Sequence, residues 1–199
     1  MITTGSPMYK FMKWLAIALV VLILGMMSYQ YLFIGDEPGI LHYRQGHQRL
    51  EEGHWEQALE SFDKHLQAVP EHPGGHFGRA LALMQMGQVQ PALKAFEQAL
   101  VYKPDFGAVY ANRGILMDRI GRHEAALADY KRALALDETL AKGPGLITRF
   151  FRSQWQPPPT IADRAKYLEE ELKKPPHERL LRVPELDEKQ RPYKVQGNL

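Results

Sequence analysis

The alternation of apolar and polar positions divides the chain into three stretches. Residues 14–34, "WLAIALVVLILGMMSYQYLFI", carry no charge. As a helix rising about 1.5 Å per residue they would just cross a hydrocarbon core about 30 Å thick. From residue 39 the apolar positions become periodic. Ala58, Leu59, Phe62 and Leu66 recur as Ala92, Leu93, Phe96 and Leu100, and again as Ala126, Leu127, Tyr130 and Leu134, each time 34 residues on. Spaced i, i+1, i+4 and i+8, they form one apolar stripe at helical period, so each copy predicts a helix with a single face to bury. Beyond residue 140 the period fails.

The punctuation keeps the same step. Gly53, Gly87 and Gly121 precede the stripes, and each can take the left-handed conformation that ends one helix and turns the chain into the next. Pro70 and Pro104 follow the stripes, where a helix has stopped. Pro91 falls at the start of the second stripe helix, where its missing N–H costs nothing. Gly46, Ala80 and Gly114 lie 12 residues ahead of Ala58, Ala92 and Ala126, which predicts that small faces of two helices meet. The unit is helix, turn, helix, turn, and self-similarity at this period marks a solenoid.

A 34-residue hairpin with a small residue, Gly, Ala-x-x-x-aromatic and Pro at these offsets resembles the tetratricopeptide repeat, and "YANRGILMDRIGRHEAALADYKRALALDE" is its fullest copy. Three repeats, 39–72, 73–106 and 107–140, cover about half the chain. The resemblance implies an all-α, right-handed solenoid in which first helices line a concave groove. Carrying over the groove-facing offsets gives Tyr43, Arg44 and His47 from repeat one, Phe77, Leu81 and Met84 from repeat two, and Asn112, Ile115 and Arg119 from repeat three. An apolar centre with polar ends implies a protein partner, a helix or extended peptide with a few apolar anchors.

Departures from the family narrow this. Co-chaperone members grip a terminal carboxylate with Lys and Asn at groove positions; the matching residues here are Tyr43, His47, Gly78, Ala108 and Asn112, and only the last has a fitting side chain. Gln45, Arg79 and Arg113 stand where the family has Leu. His65 replaces a usual alanine, and Glu138 the last proline.

Charge places the first stretch. Lys10, Lys13 and the terminal amine precede the apolar run, while Asp36 and Glu37 follow it, which predicts a cytoplasmic segment 1–13, a span 14–34 and a body on the far side. The run is too long for a leader, and "GMMSYQ" offers no small-x-small cleavage site. The expected location is a bacterial inner membrane with the repeats in the periplasm. Apart from Lys10 and Lys13 the chain balances 23 basic against 23 acidic residues, so nucleic acid finds no general attraction.

Candidate chemistry is sparse. The chain has no cysteine, which removes thiolate metal sites and thiol nucleophiles. Its eight histidines are scattered along the repeats and the tail; a zinc or copper site needs three or four converging ligands, and none is expected. Ser61 and Ser153 lack a nucleophile context, no phosphate loop occurs, and "PGGHFG" reads as a junction between repeats. No enzyme activity, cofactor, metal or small-molecule substrate is predicted.

In the last stretch Leu146, Ile147, Phe150 and Phe151 predict a capping helix within 141–155, since an array must close its last apolar face. The tail, 156–199, opens on "QPPPT", a stiff spacer. Thr160 and Asp163 then resemble a helix-starting box ahead of a stripe formed by Ile161, Ala165, Leu168 and Leu172. The reading is a membrane-anchored interaction scaffold serving assembly of an envelope complex; the alternative is a permanent accessory subunit docked through span and tail.

Overall fold

The structure is a computed structural model and describes residues 7–33, 39–142 and 159–182. The chain divides into two compact units, Met1–Pro38 and Gly39–Leu199. The first contains helix α1, Pro7–Phe33. It starts ahead of the expected span, so Lys10 and Lys13 lie on the helix itself. Its apolar stretch, Pro7–Tyr29, is long enough to cross a membrane, and its side chains are exposed.

The second unit is a row of helical hairpins. Repeat one is α2, Ile40–Glu52, and α3, Trp55–Ala68. Repeat two is α4, Pro73–Gln85, and α5, Val89–Tyr102. Repeat three is α6, Gly107–Arg119, and α7, His123–Leu136, followed by a 3-10 turn, Glu138–Ala141. No strand occurs among the described residues. The three turn glycines adopt the predicted left-handed conformation, with φ of 80° at Gly53, 72° at Gly87 and 79° at Gly121. "PGGHFG" is not a junction: it forms the first turns of α4, with Pro73 at the position where a proline fits best.

The stripe residues make the core. Ala58, Phe62, Ala92, Phe96, Ala126 and Tyr130 are all fully buried. The small residues ahead of them sit where the paired helices crowd each other. A side-chain carbon at Gly46 would stand 2.8 Å from the ring of Phe62, and one at Gly114 would stand 2.8 Å from the ring of Tyr130. The space left by each glycine is therefore filled by the aromatic of its own repeat. Phe62 is gripped from the next repeat as well, because a carbon added at Gly78 of α4 would lie 2.3 Å from it.

Two of the three polar residues in place of the family's Leu, Arg79 and Arg113, also find a reason. Arg113 donates Nε and Nη2 to the two carboxylate oxygens of Asp129 at 2.8 and 2.7 Å, tying α6 to α7. Arg79 donates to Asp63 at 2.6 Å, tying α4 back to α3. These ion pairs do between helices what an apolar contact does in the usual repeat.

The array closes on a helix from the tail, α8, Ile161–Leu172, which packs against α7. The predicted box starts it: Thr160 Oγ1 accepts from the Asp163 amide at 3.2 Å, and Asp163 Oδ2 accepts from the Thr160 amide at 2.9 Å. Ile161 and Leu168 are fully buried. A 3-10 turn, Pro176–Glu178, follows. The expected capping helix within 141–155 falls almost wholly outside the described residues, as does the tail beyond 182.

Candidate partner-binding groove

Each residue expected in the groove lies on a first helix: Tyr43, Arg44 and His47 on α2, Phe77, Leu81 and Met84 on α4, Asn112, Ile115 and Arg119 on α6. Helix α4 touches both α2 and α6, so the three helices form one row. Their side chains do not share one environment. Phe77 and Ile115 are fully buried, Leu81 and Met84 nearly so, and all four belong to the chain's own hydrophobic core. Phe77 packs against the rings of Phe96 and Phe106, with centroids 6.2 and 5.1 Å away. The apolar centre expected to face a partner is thus committed to internal packing.

Asn112 is fully buried too, and its amide donates to the Ala108 carbonyl at 2.8 Å. The last side chain suited to a carboxylate clamp is therefore turned onto its own helix. Arg44 and Arg119 are exposed, at opposite ends of the row, while Tyr43 and His47 are half-buried. Tyr43 is the hub of a ring cluster, with centroids 4.5 Å from His47, 5.0 Å from His65 and 4.9 Å from His72. Burial pushes its hydroxyl up to about 12, so it remains a neutral phenol.

Two polar groups in this body had no signal in the sequence that named their partners. His65 reaches the Gly39 carbonyl, and His72 caps α4 by accepting from the Gly75 amide at 2.9 Å. At the other end the buried carboxylate of Asp118 receives Arg164 Nε and Nη2 of α8 at 2.6 and 2.9 Å, and His123 Nδ1 at 2.9 Å. The Tyr130 hydroxyl donates to it at 3.3 Å. The signal available was a departure from the family for His65 and nothing local for Asp118. Among the described residues no group of three or more His, Asp or Glu is placed to hold a metal ion.

Hairpins stacked in a row and closed by a further helix define a helical-repeat solenoid. Its repeats belong to the tetratricopeptide repeat family, whose model matches residues 43–90 and 77–141. The chain is similar in fold to the first tetratricopeptide domain of Spaghetti (RPAP3) bound to the HSP90 peptide SRMEEVD. The identity is 17%, with 69% of this chain and 95% of that one covered and a TM-score of 0.55. It also resembles the first such domain of human RPAP3, at 20% identity, covering 68% and 98%, TM-score 0.51. A third likeness is to the Sgt2 domain from Aspergillus fumigatus, at 15% identity, covering 69% and 85%, TM-score 0.51. No curated protein matches. The fold is a protein–protein interaction scaffold.

Proposed function

We propose that the chain is a membrane-anchored scaffold that holds a partner protein at a bilayer surface during assembly of a membrane complex. The observation that carries the anchor is α1. It is apolar, uncharged from Trp14 onward and exposed on every side through Tyr29. A helix with no polar face finds favourable surroundings in a protein core or in lipid, and its length suits the second. Charge before the span and acids after it support a topology with the repeats on the periplasmic side of a bacterial inner membrane.

For the partner, peptide binding by the similar fold of Spaghetti is precedent for a peptide-like ligand. The clamp residues for a terminal carboxylate are missing, so a different segment of the partner is recognised. The contact residues are Arg44, Tyr43, His47 and Arg119 on the displayed parts of the first helices. Phe77, Leu81, Met84, Asn112 and Ile115 shape the groove from beneath.

Changing Arg44 and Arg119 together to Glu should abolish co-purification of the partner from native membranes without loss of folding. Unchanged capture would overturn the groove reading. Burial of the groove's apolar centre favours the alternative of an accessory subunit docked through its tail, and deletion of residues 183–199 should then abolish capture. A carboxyl-terminal reporter active only in the cytoplasm would overturn the placement.

A further inference from the structure

We infer that the junction of repeats one and two is an acid-sensitive latch, built from His65 and His72, that opens as imidazoles take up protons. The inference rests on the repeat body alone and stands whether or not α1 lies in a membrane.

His65 is 2% exposed and occupies a position where the resemblance implies alanine. Its Nδ1 lies 3.0 Å from the Gly39 carbonyl oxygen, which can only accept, so Nδ1 carries the proton and donates. That bond joins α3 to the residue preceding α2. The other nitrogen, Nε2, is buried with no hydrogen-bond partner. No slack surrounds the ring: a carbon added at Gly75 would stand 2.7 Å from it, and one at Gly39 would stand 3.0 Å away. A second proton on this imidazole would create a buried N–H and a charge with nothing to receive them.

His72 is bound to neutrality by the opposite geometry. Its Nδ1 accepts from the Gly75 amide, and this is the side-chain cap of α4. Protonating Nδ1 turns the acceptor into a donor and forfeits the cap. The two rings stand 4.6 Å apart, so charge on one opposes charge on the other.

The elements packed around His65 present few charges, and Glu71 adjoins His72 in the chain. From α2 the cluster meets the neutral phenol of Tyr43, and through it His47. From α3 it meets Phe62, while Asp63 is committed to Arg79 and Glu60 to Lys64. From α4 it meets His76, whose Nε2 donates to the Pro70 carbonyl at 2.8 Å. Burial first, then repulsion from Arg79 and His65, hold the His76 imidazole below its ordinary range despite that bond. A lowered imidazole leaves stability intact above the unfolded value of about 6.5 and removes it as the pH falls below that value.

The test is amide hydrogen exchange on the full-length protein in detergent micelles, at about pH 7.5 and about pH 5.5, corrected for intrinsic rates, bracketing the free imidazole value. Protection in α2 and at Gly75 should fall about tenfold in acid, while α6 and α7 hold theirs. Equal protection at both pH values, or equal loss in α6 and α7, would overturn the latch. His72→Asn keeps a cap acceptor that does not titrate, and with His65→Ala should make α2 indifferent to pH; persistence of the acid response in that double variant sinks the proposal. Should His65→Ala not fold, exchange at the ring C2 hydrogens of the unaltered protein reads the proton directly. Uptake at His65 with α2 still protected would equally refute the idea.

Discussion

The two ends of the repeat body bury polar side chains in opposite ways. At the first junction the rings of Tyr43, His65 and His72 meet, and the proposed latch holds only while the imidazoles stay uncharged. At the closing end Asp118 and Arg164 meet as an ion pair, 3% and 6% exposed, and His123, Tyr130 and the Leu181 carbonyl add further hydrogen bonds. One scaffold therefore tolerates both solutions, and they differ in what breaks them. Removing a partner damages the charged end most; adding a proton damages the neutral one.

The largest effect is expected from Asp118→Ala. It strands the Arg164 guanidinium in the interior, at a cost of about 3–5 kcal/mol in chemical denaturation, and hydrogen exchange should show α8 released while α2 keeps its protection. Overpacking comes next. Gly78→Ala brings a methyl within 2.3 Å of the Phe62 ring and should cost about 1–3 kcal/mol by the same measurement, its helix propensity notwithstanding. Ala126→Leu, at a fully buried site, belongs to the same class.

Acid should act in two stages if the ends differ as described. The first junction loosens as the pH falls below about 6.5. The tail responds later, because hydrogen bonds from Lys174 and then from the Leu180 amide hold the Glu171 carboxyl below its ordinary value of 4.5. A lowered carboxyl contributes stability above its unfolded value and loses it as the pH falls through the folded one, so α8 should begin to loosen only below about pH 4.5. A single coincident transition for α2 and α8 would erase the distinction.

Smaller still, Arg113→Ala should cost about 1.5 kcal/mol, since its bidentate pair with Asp129 is largely buried. Arg79→Ala, which removes a pair more than a third exposed, should cost about 0.5 kcal/mol. Lys131→Ala loses only an exposed bridge to Glu169 and should leave the midpoint nearly unmoved.

What the sequence made legible was whatever its spacing repeats. The turn glycines, the buried alanines and aromatics, and the box that starts α8 were each readable because local geometry decides them. The fate of Phe77, Leu81 and Met84 was not, because offset within a repeat says which helix carries a residue and not what the neighbouring repeat lays against it. Arg113 was conspicuous as a departure from the family, but its partner Asp129 lies on the other helix of the hairpin. Asp118 and Arg164 are 46 residues apart with a broken period between them, so no local rule links them. His65 was conspicuous as a departure, but its partner Gly39 sits on a different element.

The grip on Phe62 by Gly46 and Gly78 has a consequence for how such an array can change over generations. Deleting residues 73–106 would bring the third copy up against the first and present Asn112 where Gly78 now stands. The Phe62 ring would then meet an amide where it now meets bare backbone. The copies share a spacing but are not interchangeable, so this gene segment can diverge by paired substitution far more readily than by loss or shuffling of whole units.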